Sequence, residues 1–333
     1  MTRVVMFLAM VAAERPQMEW GRLSVLGPAS NLASEIESLG RRERGTLWAG
    51  YAVPMVAGSH HLCGGDDVVH LEDSDRGYHS ERGDGPTRSL FVLHRIQNGR
   101  ITKIRLLSSS CRIDAGSSVV YWWEPVPPGA SLDHLTALTA GADEDLAEDA
   151  VHAAALHGDP GADELLGELV SSARSFEVRE RAVFWLGAVR GDEGFRRLAR
   201  GFERERDEEL REEMVFAIHL SKAEGAIPKL VDIAKKDFEP DVREKALFWL
   251  AERAGKVASR AIASSVKDDP ELDVKKQAVF ALSQLPEEEG VPLLMEVAET
   301  HPHPEVRERA FFWLGQSGDP RALELFERVL LPR

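Results

Sequence analysis

His60, His61 and Cys63 stand nearly side by side in the chain, with Asp66, Asp67 and His70 close behind. Imidazole, thiolate and carboxylate are the donors that zinc and its neighbouring transition metals prefer. The spacing matches no closed structural site, and the second pair of a CxxC or HxxxH arrangement is missing, so a solvated polar loop is the plainer reading. A metal-dependent enzyme centred on His60, His61, Cys63 and His70 stands as its alternative. Cys63 and Cys111 are the two cysteines of the chain. In an exported domain they pair as one disulfide, which contributes about 3–5 kcal/mol by restricting the unfolded chain. In a reducing compartment they are free thiols, and a thiol nucleophile would need a histidine held beside it that no motif supplies. No phosphate-binding glycine loop, His-Glu metal pair on a helix, GxSxG elbow or dinucleotide fingerprint occurs. The sequence therefore nominates no catalytic residue, no bound metal and no cofactor.

Two further sets of residues recur at fixed spacing. Trp185, Trp249 and Trp313 alternate with Ala153, Ala217 and Ala281, beside a column of His152, Phe184, Phe216, Phe248, Phe280 and Phe312. Such a row could stack a flat cofactor. At 100° per residue, however, Trp185 lies within about 20° of Val178 around a helix, and alternating large and small side chains let layers interlock, so core packing is expected. Glu148, Glu180, Glu212, Glu244, Lys276 and Glu308 occupy the solvent side, with small residues Ala155, Gly187, Ala251, Ser283 and Gly315 next to them. Carboxylates beside small side chains would form a groove for a basic or extended partner. Glu180, Glu212, Glu244 and Glu308 are the binding residues this reading selects, against the alternative of a plain solvated face.

The elements that position these rows come from one periodicity. From Asp145 the chain repeats every 32 residues, six times, without loss of register. A period of this size marks a stacked solenoid. In each copy Val178, Ala182, Trp185, Leu186 and Val189 or their equivalents fall on one helical face. After a breaker such as Gly191-Asp192, a second helix carries the column Leu166, Leu198, Leu230, Ile262, Leu294 and Phe326. An acid opens each first helix (Asp145, Glu177, Glu209, Asp241, Asp273, Glu305), where it suits the free N–H groups and the helix dipole. Two residues later stand Ala147, Arg179, Arg211, Arg243, Lys275 and Arg307, so a ladder between each basic residue and the acid of the next repeat is expected.

Residues 46–130 change to an extended pattern. Leu47–Val53, Ser89–Ile96, Ile101–Ser108 and Val119–Trp123 read as strands, the middle two joined at Asn98-Gly99 as a hairpin. The basic residues Arg88, Arg95, Arg100, Lys103, Arg105 and Arg112 give this hairpin an anionic ligand to bind or the acidic solenoid to dock on. Residues 14–45 are polar and partly helical, best from Asn31 to Leu39. A helix over Ser131–Ala140 reads as a half-repeat covering the first solenoid layer. Residues 1–13 read as a shortened secretory signal, with a buried N-terminal element as the alternative. The formal net charge of −15 with pI near 5.3 disfavours general nucleic-acid binding and docking on anionic lipid.

The Glu-Val-Arg or Asp-Val-Arg opening, the small residue at Ala182, Ala246, Ala278 and Ala310, and the Trp-Leu-Gly close at Trp185–Gly187 and Trp313–Gly315 resemble HEAT repeats of the bilin-lyase type over residues 143–333. That resemblance implies stacked helical hairpins that hold other macromolecules. Gly50–Pro54, the Cys63 loop, the hairpin and Cys111–Gly116 are similar to the N-terminal region of exported bacterial HEAT-repeat proteins that have no assigned activity, which supports export and a two-domain layout. The expected architecture is α+β, a small β domain at 46–130 followed by an all-α solenoid at 131–333. The expected function is a non-enzymatic scaffold that binds a protein partner in the bacterial envelope, periplasmic or secreted rather than cytoplasmic. Self-assembly through the C-terminal repeat and a bilin-lyase-like enzyme are the alternatives.

Overall fold

The computed structural model describes residues 14–58, 62–63, 68–73, 89–253 and 256–330. The signal reading of 1–13, the metal candidates His60, His61, Asp66 and Asp67, and Arg88 of the hairpin lie outside the described residues. The chain divides into two compact units, Met1–Trp185 and Leu186–Arg333.

The first unit contains β1 (Gln17–Leu26), α1 (Leu32–Arg42), β2 (Thr46–Pro54), β3 (Val68–His70), β4 (Ser89–Gln97), β5 (Arg100–Ser108) and β6 (Arg112–Trp123). There follow α2 (Pro128–Thr139), α3 (Glu144–Leu156), α4 (Gly161–Ser172) and α5 (Phe176–Val189), the last of which crosses the unit boundary. The strands form one mixed sheet in the order β1-β6-β2-β4-β5, with β3 also on β6. The hairpin turns where expected, with Asn98 at φ 52° and Gly99 at φ 75°, the positive angles that a two-residue turn of this hand demands. Residues 14–45 differ from expectation, because Gln17–Leu26 is a strand pairing in parallel with β6. Its residues are mostly exposed, so it carries no apolar run or strict alternation to reveal it, and the sheet domain begins earlier than residue 46. The helix after it is as expected, with the Asn31 side chain accepting from the Ser34 amide at 3.1 Å.

One sheet face buries Trp48, Phe91, Leu107, Ile113 and Trp122 together with Cys63 and Cys111. Toward α2, Tyr51 and His94 are fully buried. The Ser131 hydroxyl donates to the Tyr51 oxygen at 3.0 Å, and the Nε2 atoms of His94 and His134 meet at 3.2 Å. Burial, and for His94 also the facing His134, holds both imidazoles below their ordinary pKa, His94 well below and His134 at about 4. Burial likewise raises the Tyr51 phenol. At the β5 edge the Asp149 carboxylate of α3 accepts from the Ile104 amide at 3.2 Å. The Gly158 amide, just past α3, donates to the Pro54 carbonyl at 2.7 Å, and the Val56 amide donates to Leu156 at 2.8 Å. The sheet is thus docked on α2 and α3, and α2 packs on α3 and α4.

The second unit continues with α6 (Gly191–Phe202), α7 (Glu208–Leu220), α8 (Ala226–Lys236), α9 (Pro240–Glu252), α10 (Lys256–Asp268), α11 (Leu272–Ser283), α12 (Glu287–Thr300), α13 (Pro304–Ser317) and α14 (Pro320–Leu330). The first helices of successive repeats, α7, α9, α11 and α13, pack side by side, while α8, α10, α12 and α14 form the second layer. Leu198, Leu230, Ile262 and Leu294 are buried between the layers, as their column requires. The architecture is α+β with a helical solenoid. Among the described residues no helix is long and apolar enough to cross a membrane.

The expected ladder exists with a different acid. Arg243 grips Asp269 through Nε at 2.8 Å and Nη2 at 3.0 Å, while its Nη1 donates to the Asp237 carbonyl at 2.9 Å. Arg211 pairs with Asp237 and donates to the carbonyls of Phe202 and Glu205, both at 2.9 Å. The acids Glu209, Asp241 and Asp273 that open the helices are exposed instead. They stand in the first turn, and the side chains that cap the helices lie two residues earlier, at Asp143 and Asp207. A buried guanidinium needs a buried counter-charge, and the inter-repeat loop provides one where the helix start does not.

Candidate interaction face

On the first helices of the second unit, each residue of the carboxylate row stands four before a phenylalanine: Glu212 and Phe216 on α7, Glu244 and Phe248 on α9, Glu308 and Phe312 on α13. Lys276 and Phe280 replace the pair on α11. Residues four apart share a helix face. Phe216, Phe248 and Phe280 are half-buried, and Phe312 is 51% exposed. Glu180 and Phe184 repeat the spacing on α5 within the first unit, both half-buried. The row thus carries aromatic surface beside its carboxylates, which reading the two columns separately missed; the shared offset of four was the signal.

The tryptophans tie neighbouring first helices together at this face. Trp249 lies tilted against Phe216 at 4.8 Å and His219 at 4.4 Å, and Trp313 lies 5.1 Å from Phe280. Trp249 and Trp313 are half-buried rather than central to the core. In the first unit Trp185 is buried and stacks flat on His152 at 4.2 Å. Of the small residues beside the row, Ser283 is half-buried and Gly315 exposed, whereas others are lost from the surface. Gly187 and Ala251 are buried, and a Cβ at Gly187 would overlap the carbonyl oxygen of Ala217. They let adjacent helices approach, and the surface beside the carboxylates is aromatic.

The electrostatics of the face are uneven. Glu212 is paired with Lys245 at 3.2 Å. Glu208, Glu212 and Asp241 bring carboxylate oxygens within 4.8 Å of one another. Desolvation and the neighbouring Glu239, Asp241, Glu212 and Asp207 raise the Glu208 carboxyl above its usual value. Desolvation followed by Asp241 and Asp273 does the same to Glu244. Like charges held this closely favour a cation beside them.

The other candidates fall away from ligand chemistry. Cys63 and Cys111 form a disulfide, with Cα atoms 5.4 Å apart, so neither is a thiolate nucleophile and Cys63 does not serve the metal alternative. His70 gives its Nδ1 to Asp114 at 2.8 Å. The hairpin's charges are partly used at home, Arg95 on Glu72 at 3.0 Å and Arg112 on Glu19 at 2.8 Å, with Arg105 donating to the His70 carbonyl.

Comparison with known proteins bears on the helices. The family model of HEAT repeats matches residues 227–296 and 259–331. No curated protein matches the chain. Among solved structures, Escherichia coli YibA is similar at 13% identity over 61% of this chain and 76% of that one, with a TM-score of 0.36. The CpcE–CpcF complex of phycocyanin lyase from Nostoc is similar at 18% identity over 60% and 80%, with a TM-score of 0.35. The Cnd3–Cnd2 condensin subcomplex of S. pombe is similar at 16% identity over 60% and 28%, with a TM-score of 0.40. These TM-scores are low, and the assignment rests on the repeat model. Its match shows HEAT repeats over residues 227–331, and the same 32-residue register continues back to Asp145.

Proposed function

We propose that this chain is a non-enzymatic scaffold whose second unit holds a protein partner on the face carrying Glu212, Glu244 and Glu308, with Glu180 offering the same chemistry in the first unit. The observation that carries this reading is the acid placed four residues before a half-exposed phenylalanine, repeated from helix to helix. Partly buried aromatics are the usual anchors of protein interfaces, and the carboxylates select a basic segment over an acidic one. Affinity is spread over several repeats, as solenoid surfaces allow. The partner is met in an oxidising compartment, the bacterial envelope or outside the cell. The Cys63–Cys111 bond supports this, since such bonds persist there and are rare in the cytosol. Reversing Glu212, Glu244 and Glu308 to Lys together should weaken partner capture from a native-source extract by at least about ten-fold, with the circular-dichroism melt nearly unchanged. Undiminished capture removes this face from the account.

A further inference from the structure

The carboxylate row is served by the chain's own cations at alternate repeats. In the first unit Glu148 pairs with Arg181 at 2.5 Å, and in the second Glu212 pairs with Lys245 at 3.2 Å, each cation 33 residues after its carboxylate. The residue 33 after Glu244 is Gln277, which is neutral. Among the described residues Glu244 makes no ion pair or hydrogen bond, although it is half-buried. Four residues on, Phe248 is half-buried, and among the described residues the one ring it pairs with is its neighbour Trp249, edge-on at 4.9 Å. The last repeat shows what this aromatic arrangement accepts. There Arg309 lies 5.8 Å from the Phe312 ring and 5.4 Å from Trp313.

We infer that Glu244 and Phe248 form a seat for a lysine or arginine side chain of an extended protein segment, taking the place that Lys245 fills beside Glu212. This rests on the scaffold reading above and specifies its partner. A single carboxylate next to an aromatic ring is too poor in oxygen donors for a divalent cation, which wants six or more. An organic cation gains from both the charge and the ring face. Asp241 adds negative potential at this position, opposed in part by Arg243 on the same helix, while Lys276 is engaged by Asp273 at 2.7 Å and not by Glu244.

The test uses the full chain and a fluorescein-labelled lysine octapeptide, followed by anisotropy at low salt, with glutamate and acetyl-lysine octapeptides as controls. Binding is expected for the lysine peptide alone. Gln277→Lys supplies the missing cation from within the chain, and Glu244→Gln removes the charge; each should weaken binding about five-fold, while Glu296→Gln on α12 changes nothing. Thermal melts of the variants separate loss of the seat from loss of the fold. If both substitutions leave binding intact while the triple reversal at Glu212, Glu244 and Glu308 abolishes it, the seat is wrong and the face stands. If the wild-type chain does not bind the lysine peptide, the seat is overturned outright, and the face is judged by partner capture.

Discussion

His94 and His134 are the clearest case of single residues that set the behaviour of the first unit. Their rings meet where the sheet packs on α2, and burial keeps both neutral. The sign of the pH effect follows directly. The unfolded chain takes up protons near the ordinary imidazole value of 6.5, while folded His134 resists until about 4. Between these values the unfolded state binds more protons, so stability is complete above the upper one and declines as pH falls through the window. From about pH 7 to about pH 5, urea denaturation of the first unit should lose about 2 kcal/mol for each of the two histidines, and His134→Gln should roughly halve the slope. A stability that does not change over that range would mean the pair is not buried as described. No motif marked these histidines, because they lie 40 residues apart and only the docking of α2 brings them together.

At the scale of the elements, Arg211 and Arg243, two of the basic residues that follow the helix openings, each reach an acid 26 residues further on and so join successive repeats. Arg243 and Asp269 are 6% and 3% exposed in their side chains, and each guanidinium nitrogen donates once, two to the carboxylate and one to the Asp237 carbonyl. Removing one partner of such a pair strands a buried charge, so Arg243→Ala should cost about 3–5 kcal/mol, whereas replacing both residues by apolar ones should be far milder. Equilibrium urea unfolding decides it; a loss below about 1 kcal/mol for Arg243→Ala would show that the pair does not join the repeats. The helices, their register and the arginine column could be read from the 32-residue period, and the hairpin from Asn98-Gly99, because both signals are local. The identity of the acid could not: Asp237 and Asp269 sit in loops, outside the helical pattern, and match the period as quietly as any surface residue. The strand Gln17–Leu26 escaped for a related reason, since an edge strand that is mostly exposed needs no apolar alternation.

For the whole molecule, the question is which surface of the solenoid serves the partner. The sequence showed the carboxylates Glu180, Glu212, Glu244 and Glu308 but not what lies beside them. Their neighbours turned out to be phenylalanines held by Trp249 and Trp313, with Gly187 and Ala251 lost between helices. That gives the acidic face its apolar component, which a solvated surface of a chain with net charge −15 would not need. The most direct test is site-specific photo-crosslinking in cells of the native source, with a photoreactive residue placed in turn at Glu212, Glu244 and Glu308, and at the exposed second-helix positions Lys235, Lys267 and Glu296. One discrete protein adduct from the three first-helix positions, absent from the second-helix positions and lost on mutating Phe248 to Ala, is the expected result. Adducts only from the second helices, or none from Glu212, Glu244 and Glu308, would contradict the assignment of this face as the partner's seat.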